Sequence, residues 1–210
     1  MGGGRLPGPT CVERAGDDPR AQRGFSDPIP LGGGAGSAAT VTLAGWPRAL
    51  TWNDFRDVGS QPAGATEAAQ IHSEAVQPER VGIAREGGNL RLSGYTVRVR
   101  IVSDDTWVVA GQKGDALLVH EQGHYDIVGL TARDMVTALG AIRASSAADL
   151  QQQVTDVITR AGELAQRLDT QYDGSGKGGT NHGADSAAQG RWNAHLRACR
   201  ENNTRLAGAP

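Results

Sequence analysis

Leu117-Leu118-Val119-His120-Glu121-Gln122-Gly123-His124-Tyr125-Asp126 is the stretch on which the reading of this chain turns. Around it Leu117, Leu118, Val128, Met135, Val136 and Leu139 recur at helical spacing, which predicts one long helix from about Asp115 to Ala144, with Asp115 as its start signal. His120 and His124 are four residues apart. On a helix that spacing stands both imidazoles on one face, one turn from each other, so that they can meet a single zinc ion at about 2.0–2.1 Å. Glu121 adjoins the first histidine without sharing its direction, and can take a proton from metal-activated water without ligating the metal. The bland alternative is a pair of solvated histidines on a helix face. The apolar run before His120 and an amphipathic strand shortly upstream favour the metal reading.

Working outward, Ser146 with Asp149 three residues on opens a second helix in an acidic variant of the capping box. Leu150, Val154, Val157, Ala161, Leu164 and Leu168 give it one apolar stripe, which predicts antiparallel packing on the first helix. A glycine-rich loop follows from Asp173 to Gly183, then a last helix from Ala184 to Arg200 with Trp192, Leu196 and Cys199 on one face. Upstream, Thr40–Leu43 and Ala68–Val76 read as strands. Leu90–Val102 is the clearest strand, with Gly94 as a bulge and Val97, Val99 and Ile101 alternating with Arg98 and Arg100. Its end near Val102 is the expected edge for an extended substrate, and the two arginines suggest acidic residues in that substrate. Trp46, Trp52, Phe55 and Trp107 are expected in the core.

A zinc hydrolase needs a third protein ligand and an open fourth position. A metzincin would have Gly at position 127 and His at 130, where this chain has Ile127 and Leu130, and a deformylase-like site would need a cysteine before the helix. Glu163, a gluzincin-type candidate, lies off the apolar stripe. His182, in Gly178-Gly-Thr-Asn-His-Gly183, is the preferred third ligand because the glycines permit close approach; Asp173, Asp126 and Asp185 are the alternatives. Tyr172 is the first choice for a hydrogen bond to a developing oxyanion, ahead of Tyr125 and His195. Asp126 is read as an outer partner of a ligand histidine or as a partner of Arg133. Gly174-Ser-Gly-Lys177-Gly-Gly-Thr180 is not a phosphate loop, because Lys177 is followed by glycine and the segment follows a helix.

Composition narrows the alternatives. The 210 residues carry a formal charge of −2, with 38% hydrophobic and 4% aromatic residues and 30 glycines, which suits one loop-rich domain. A pI near 6.2 speaks against nucleic acid or anionic lipid as partners. No run approaches the roughly 20 apolar residues of a membrane span, and the opening Met1-Gly-Gly-Gly-Arg-Leu-Pro lacks the apolar stretch of a secretory signal. Cys11 and Cys199 are the two cysteines, able either to pair or to stay as thiols. Residues 1–39 read as a flexible Gly/Pro-rich arm, 40–202 as the folded domain and 203–210 as a tail.

Leu50-Thr-Trp-Asn-Asp-Phe55, Trp107, His120-Glu-Gln-Gly-His-Tyr-Asp-Ile127, Tyr172-Asp173 and Thr180-Asn-His-Gly183, with Gln189 and Trp192, together resemble a bacterial family of zinc-dependent proteases known by prediction, domain of unknown function 922. The likeness spans about residues 40–200. It implies a zincin-like fold, a secreted or envelope setting, His120 and His124 as ligands, Glu121 as base and the 180–183 segment as part of the site. The stretch between Tyr172-Asp173 and Thr180 is longer than the family pattern.

The expectation is therefore an α+β domain with a small, mostly antiparallel sheet, a long active-site helix, a second packed helix and a C-terminal helix. Its expected function is that of a monomeric zinc metallopeptidase acting on peptides or proteins through Zn2+ held by His120, His124 and His182, with Glu121 and Tyr172 catalytic. The alternatives are an adaptor-type zinc-binding module without activity, and a zinc amidase acting on a non-peptide substrate.

Overall fold

The computed structural model describes residues 40–78 and 81–210; the N-terminal arm and Cys11 lie outside the described residues. The long helix α1 spans Asp115–Ala141. It stops short of the expected Ala144 because Ile142 turns to extended backbone and Ala144 bridges Leu90, each donating its N–H to the other's carbonyl at 2.9 and 2.7 Å. Along much of its length α1 is enclosed: Tyr125, Ile127, Leu130, Ala132, Met135 and Leu139 are buried, with two other helices and the sheet packed around them. Trp46 lies directly on Gly129, where any side chain would collide with its indole.

After the short connection 142–146, α2 (Ala147–Asp173) runs back along α1. Ser146 caps it as expected, its side chain accepting from Asp149 N–H, while Asp149 receives the N–H of Ser145 at 2.9 Å. The apolar stripe is shifted slightly from its expected position: Leu150, Val154, Ile158, Ala161, Ala165, Leu168 and Tyr172 are buried, and Val157 and Leu164 flank them half-buried. Helix α3 (Ser186–Glu201) is capped by Asp185 and buries Trp192, Leu196 and Cys199, the face the spacing indicates.

The β structure is mixed, which corrects the expectation of a mostly antiparallel sheet. Strand β1 (Val41–Ala44) is parallel to β7 (Tyr95–Ile101), which is antiparallel to β4 (Ser73–Val76) on its other side. A second sheet places β8 (Trp107–Val109) between β2 (Arg56–Val58), parallel, and β3 (Ala69–Gln70), antiparallel. Strands β5 (Gly82–Glu86) and β6 (Asn89–Ser93) form a separate hairpin. Gly94, at φ +63°, is a corner between β6 and β7 and not a bulge within one strand. Strand β7 alternates as read, but it is central and cannot be the substrate edge. Arg100 is engaged by Glu74 of β4.

The expected strand 68–76 breaks at Ile71 and His72, where the chain steps from the β3 sheet to the β4 sheet. Residues 203–210, expected as a tail, are fastened down: Arg133 donates to the carbonyls of Cys199 and Thr204 at 2.8 and 2.6 Å, Leu206 N–H donates to Asp134 at 2.8 Å, and Leu206 is buried. Arg133 is thus committed to the C-terminal segment and not to Asp126. Among the described residues no helix is long and apolar enough to cross a membrane.

Candidate metal centre

The two histidines of α1 point at the end of α2. His120 Nε2 and His124 Nε2 are 3.2 Å apart, and Asp173 Oδ1 lies 3.1 Å from the first and 3.0 Å from the second. Bonds of about 2.0–2.1 Å to a tetrahedral ion require donors about 3.3 Å apart, so this triangle has nearly the size that a zinc ion demands. The Asp173 Oδ1 atom is buried and makes no hydrogen bond of acceptable geometry, a costly state that a cation among the three donors would relieve. Asp173 is the last residue of α2, so the negative end of that helix dipole also faces the site.

Each histidine is held from behind. His124 Nδ1 is 2.6 Å from Asp169 Oδ1, one turn before Asp173. His120 Nδ1 is 3.1 Å from Gln189 Oε1 of α3. Gln189 also donates through Nε2 to the Tyr172 hydroxyl at 2.6 Å and to Asn193 Oδ1 at 2.8 Å, which fixes its amide with the oxygen towards His120. In both rings Nδ1–H is then the donor and the Nε2 lone pair is left for a metal. Asp169 went unmarked in the sequence reading, although its four-residue spacing to Asp173 was available as a signal. Asp126 does not take this part: it receives Trp46 Nε1 at 3.0 Å and Gln122 Nε2 at 3.1 Å.

Tyr172, expected to reach an oxyanion, is instead buried beneath the site. Its ring stacks on His120 with centroids 4.8 Å apart, and its hydroxyl donates to the His120 carbonyl at 3.0 Å. Gly123 makes this possible, since a Cβ there would collide with the hydroxyl. Tyr125 donates to the Gly45 carbonyl and His195 Nε2 pairs with the Gly208 carbonyl at 2.9 Å, both away from the triangle. Glu163 is exposed on α2 and takes no part.

His182, the expected third ligand, stands beside the triangle and not at its vertex. Its side chain is 45% exposed, with Nδ1 3.5 Å from Asp173 Oδ1. Asn181, His182 and Gly183 all have positive φ, of 51°, 50° and 80°. The tight loop they form is pinned to the end of α2 by Thr180 N–H to the Tyr172 carbonyl at 2.7 Å and His182 N–H to that of Asp173 at 3.2 Å. A Cβ at Gly183 would come within 3.2 Å of the His120 ring, so glycine lets the loop close. Among the described residues the His/Asp groups able to hold a metal are His120, Asp173 and His182, and His124, Asp169 and Asp173, with ligand atoms within 4.8 Å of one another. Asp173 belongs to both.

A cavity of about 440 Å3 opens in front of the triangle, with Glu121, His182 and the β3 residues Ala69 and Gln70 in its wall. Glu121 is buried, and its Oε2 accepts the Ile71 backbone N–H at 2.8 Å. Burial pushes its carboxyl up from the ordinary range against the opposing pull of His124 and His120. For His124 burial acts to lower the pKa, but Asp169 and Asp173 outweigh it and hold the imidazole well above its usual value. For Asp173 burial acts to raise the pKa, and the charges of His124 and His120 overcome it and hold the carboxyl far below its usual range. Burial pushes the Tyr172 hydroxyl up to about 12.

Residues 112–183 match the family model DUF922, described as a bacterial protein of unknown function. The DUF922 match is narrower than the likeness over 40–200, yet it contains both histidines, Glu121, Asp169, Asp173 and His182. Gln189 lies just beyond it. No curated protein and no solved structure matches the chain.

Proposed function

We propose that the protein is a zinc-dependent hydrolase of zincin-like architecture that cleaves peptide bonds, with the metal held by His120, His124 and Asp173. The observation that carries this reading is the donor triangle with sides of 3.0–3.2 Å around a buried carboxylate oxygen that lacks a hydrogen bond. A zinc ion held there supplies Lewis acidity, polarising a carbonyl and making water acidic enough to ionise near neutral pH.

The remaining chemistry belongs to the chain. Glu121 accepts the proton of the attacking water and returns it to the leaving amine. Burial raises its basicity, and the Ile71 N–H fixes its orientation. Asp169 and Gln189 keep the ligand lone pairs aimed at the metal. His182, ahead of Tyr172, is the side chain that faces a bound carbonyl, since it lines the cavity.

Replacement of Glu121 by Gln should lower hydrolysis by at least about a hundredfold while zinc stays bound stoichiometrically. Metal analysis beside a broad peptide digest measures both. Undiminished activity in Glu121→Gln refutes the mechanism; stoichiometric zinc with no cleavage by the wild type favours the adaptor reading.

A further inference from the structure

A tetrahedral ion held by His120, His124 and Asp173 has one corner left over. Of the potential donors in the cavity wall, Glu121 is committed to the Ile71 N–H, Asp169 to His124 and His72 to Asp105. His182 is placed differently. Its Nδ1 is 3.5 Å from Asp173 Oδ1, close to the roughly 3.3 Å that separates donors around one zinc ion. His120, Asp173 and His182 each have a ligand atom within 4.8 Å of the other two, so His182 is grouped with two of the three donors of the triangle.

The backbone of His182 is fixed, whereas its ring is not. Asn181 and His182 hold φ of 51° and 50°, a left-handed conformation that residues with side chains seldom keep unless their surroundings impose it. The N–H groups of Thr180, Asn181 and His182 donate to the carbonyls of Tyr172, Gly174 and Asp173 at 2.7, 3.0 and 3.2 Å, and so tie the loop to the end of α2. The rings of His120 and His124 are each locked through Nδ1, by Gln189 and Asp169. Among the described residues no such partner stands behind the half-exposed ring of His182.

Resting on the metal-site reading of this same triangle, we infer that His182 is an exchangeable fourth donor, which completes the shell of a bound zinc ion in the substrate-free protein and yields its place to an incoming oxygen ligand. The two histidines locked from behind are the permanent ligands; the one without a lock is the one that leaves. The pinned loop keeps the displaced imidazole in the cavity wall, beside the carbonyl that takes its place, and brings it back when the site empties. A donor held this loosely adds little to affinity but guards the fourth corner against ligands that cannot displace it.

The test loads the full chain with NMR-active cadmium in place of zinc, labels its histidine nitrogens, and uses acetohydroxamate as the oxygen ligand. The cadmium signal of the ligand-free wild type should be split by three directly bonded imidazole nitrogens, and saturating acetohydroxamate should remove one of the three couplings. His182→Ala should show two couplings with or without acetohydroxamate; the wild-type spectra decide the matter even if that variant does not fold. Two couplings in the ligand-free wild type overturn the inference and leave the triangle of His120, His124 and Asp173 intact. Three couplings that survive acetohydroxamate overturn it as well, because His182 is then a permanent ligand. Fewer than two refute the centre itself, and the inference with it. None of these readouts depends on turnover, so the peptide digest judges the hydrolase reading separately.

Discussion

Asp173 and His182 compete for one role, and single substitutions separate them. Asp173 Oδ1 touches both ligand nitrogens, whereas His182 reaches only the edge of the triangle. Asp173→Ala should therefore weaken zinc binding by more than the roughly 10–100-fold typical of losing an outer partner, and His182→Ala by only a few-fold, measured by competition with a chromogenic chelator. The opposite ranking would return His182 to the ligand set. His124 makes the same cluster sensitive to pH. Its pKa is raised in the folded state, so in chelator the stability it contributes is complete below about 6.5 and is lost as the pH climbs through the raised value. Asp173 is lowered, so its contribution is present above the ordinary carboxylate range and is lost on acidification. The metal-free protein should melt highest in the mildly acidic range between these limits. Zinc must displace the His124 proton, so its apparent affinity should rise as the medium becomes alkaline. A melting temperature that is flat from about pH 6 to about pH 9 in chelator would contradict the coupling.

Among the elements, the contact between α1 and α2 at Gly123 and Tyr172 admits a test in which two effects have opposite sign. Intrinsic helix propensity favours Ala over Gly by about 1 kcal/mol, but a methyl at position 123 strikes the Tyr172 hydroxyl. Overpacking of that kind costs about 1–3 kcal/mol, so Gly123→Ala should lower the melting temperature and disturb His120 with it; a rise would show that the two helices have slack. Helix α1 was legible because its spacing and its histidine pair give the same answer. The choice of third ligand was not: Asp173 stood only as an alternative beside His182, because its place depends on how far α2 runs back along α1, which an apolar stripe does not specify. The glycines around His182 signal close approach, and the loop does close on the His120 ring, but with Gly183 as the contact. Strand β7 was legible as an alternation, yet its two neighbours, β1 and β4, come from distant sequence, so its central place was not.

Across the whole molecule, helices and sheets meet at the cavity, and three separate pieces of chain converge there on α1: the end of α2, the 180–183 loop and α3. Gln122 ties a fourth piece in, accepting the Leu50 N–H at 2.8 Å, which holds the start of the Leu50–Phe55 segment against the histidine helix. The C-terminal segment reads as a tail from sequence; its single buried anchor, Leu206, and the two side chains on α1 that grip it are not inferable from spacing.

The helical hairpin of α1 and α2 is joined covalently at residues 142–146, and at its other end His124 meets Asp173. An ion shared by those two residues turns the hairpin into a closed ring of roughly 50 residues, and in the chain-entropy model a cross-link of that span restrains the unfolded chain by about 4 kcal/mol. A metal bound there would act as a reversible staple, in a fold whose one cysteine among the described residues, Cys199, is buried. Chelation should accordingly lower the melting temperature by roughly 10 °C, an amount to be measured with the inactive Glu121→Gln protein so that self-cleavage does not intrude.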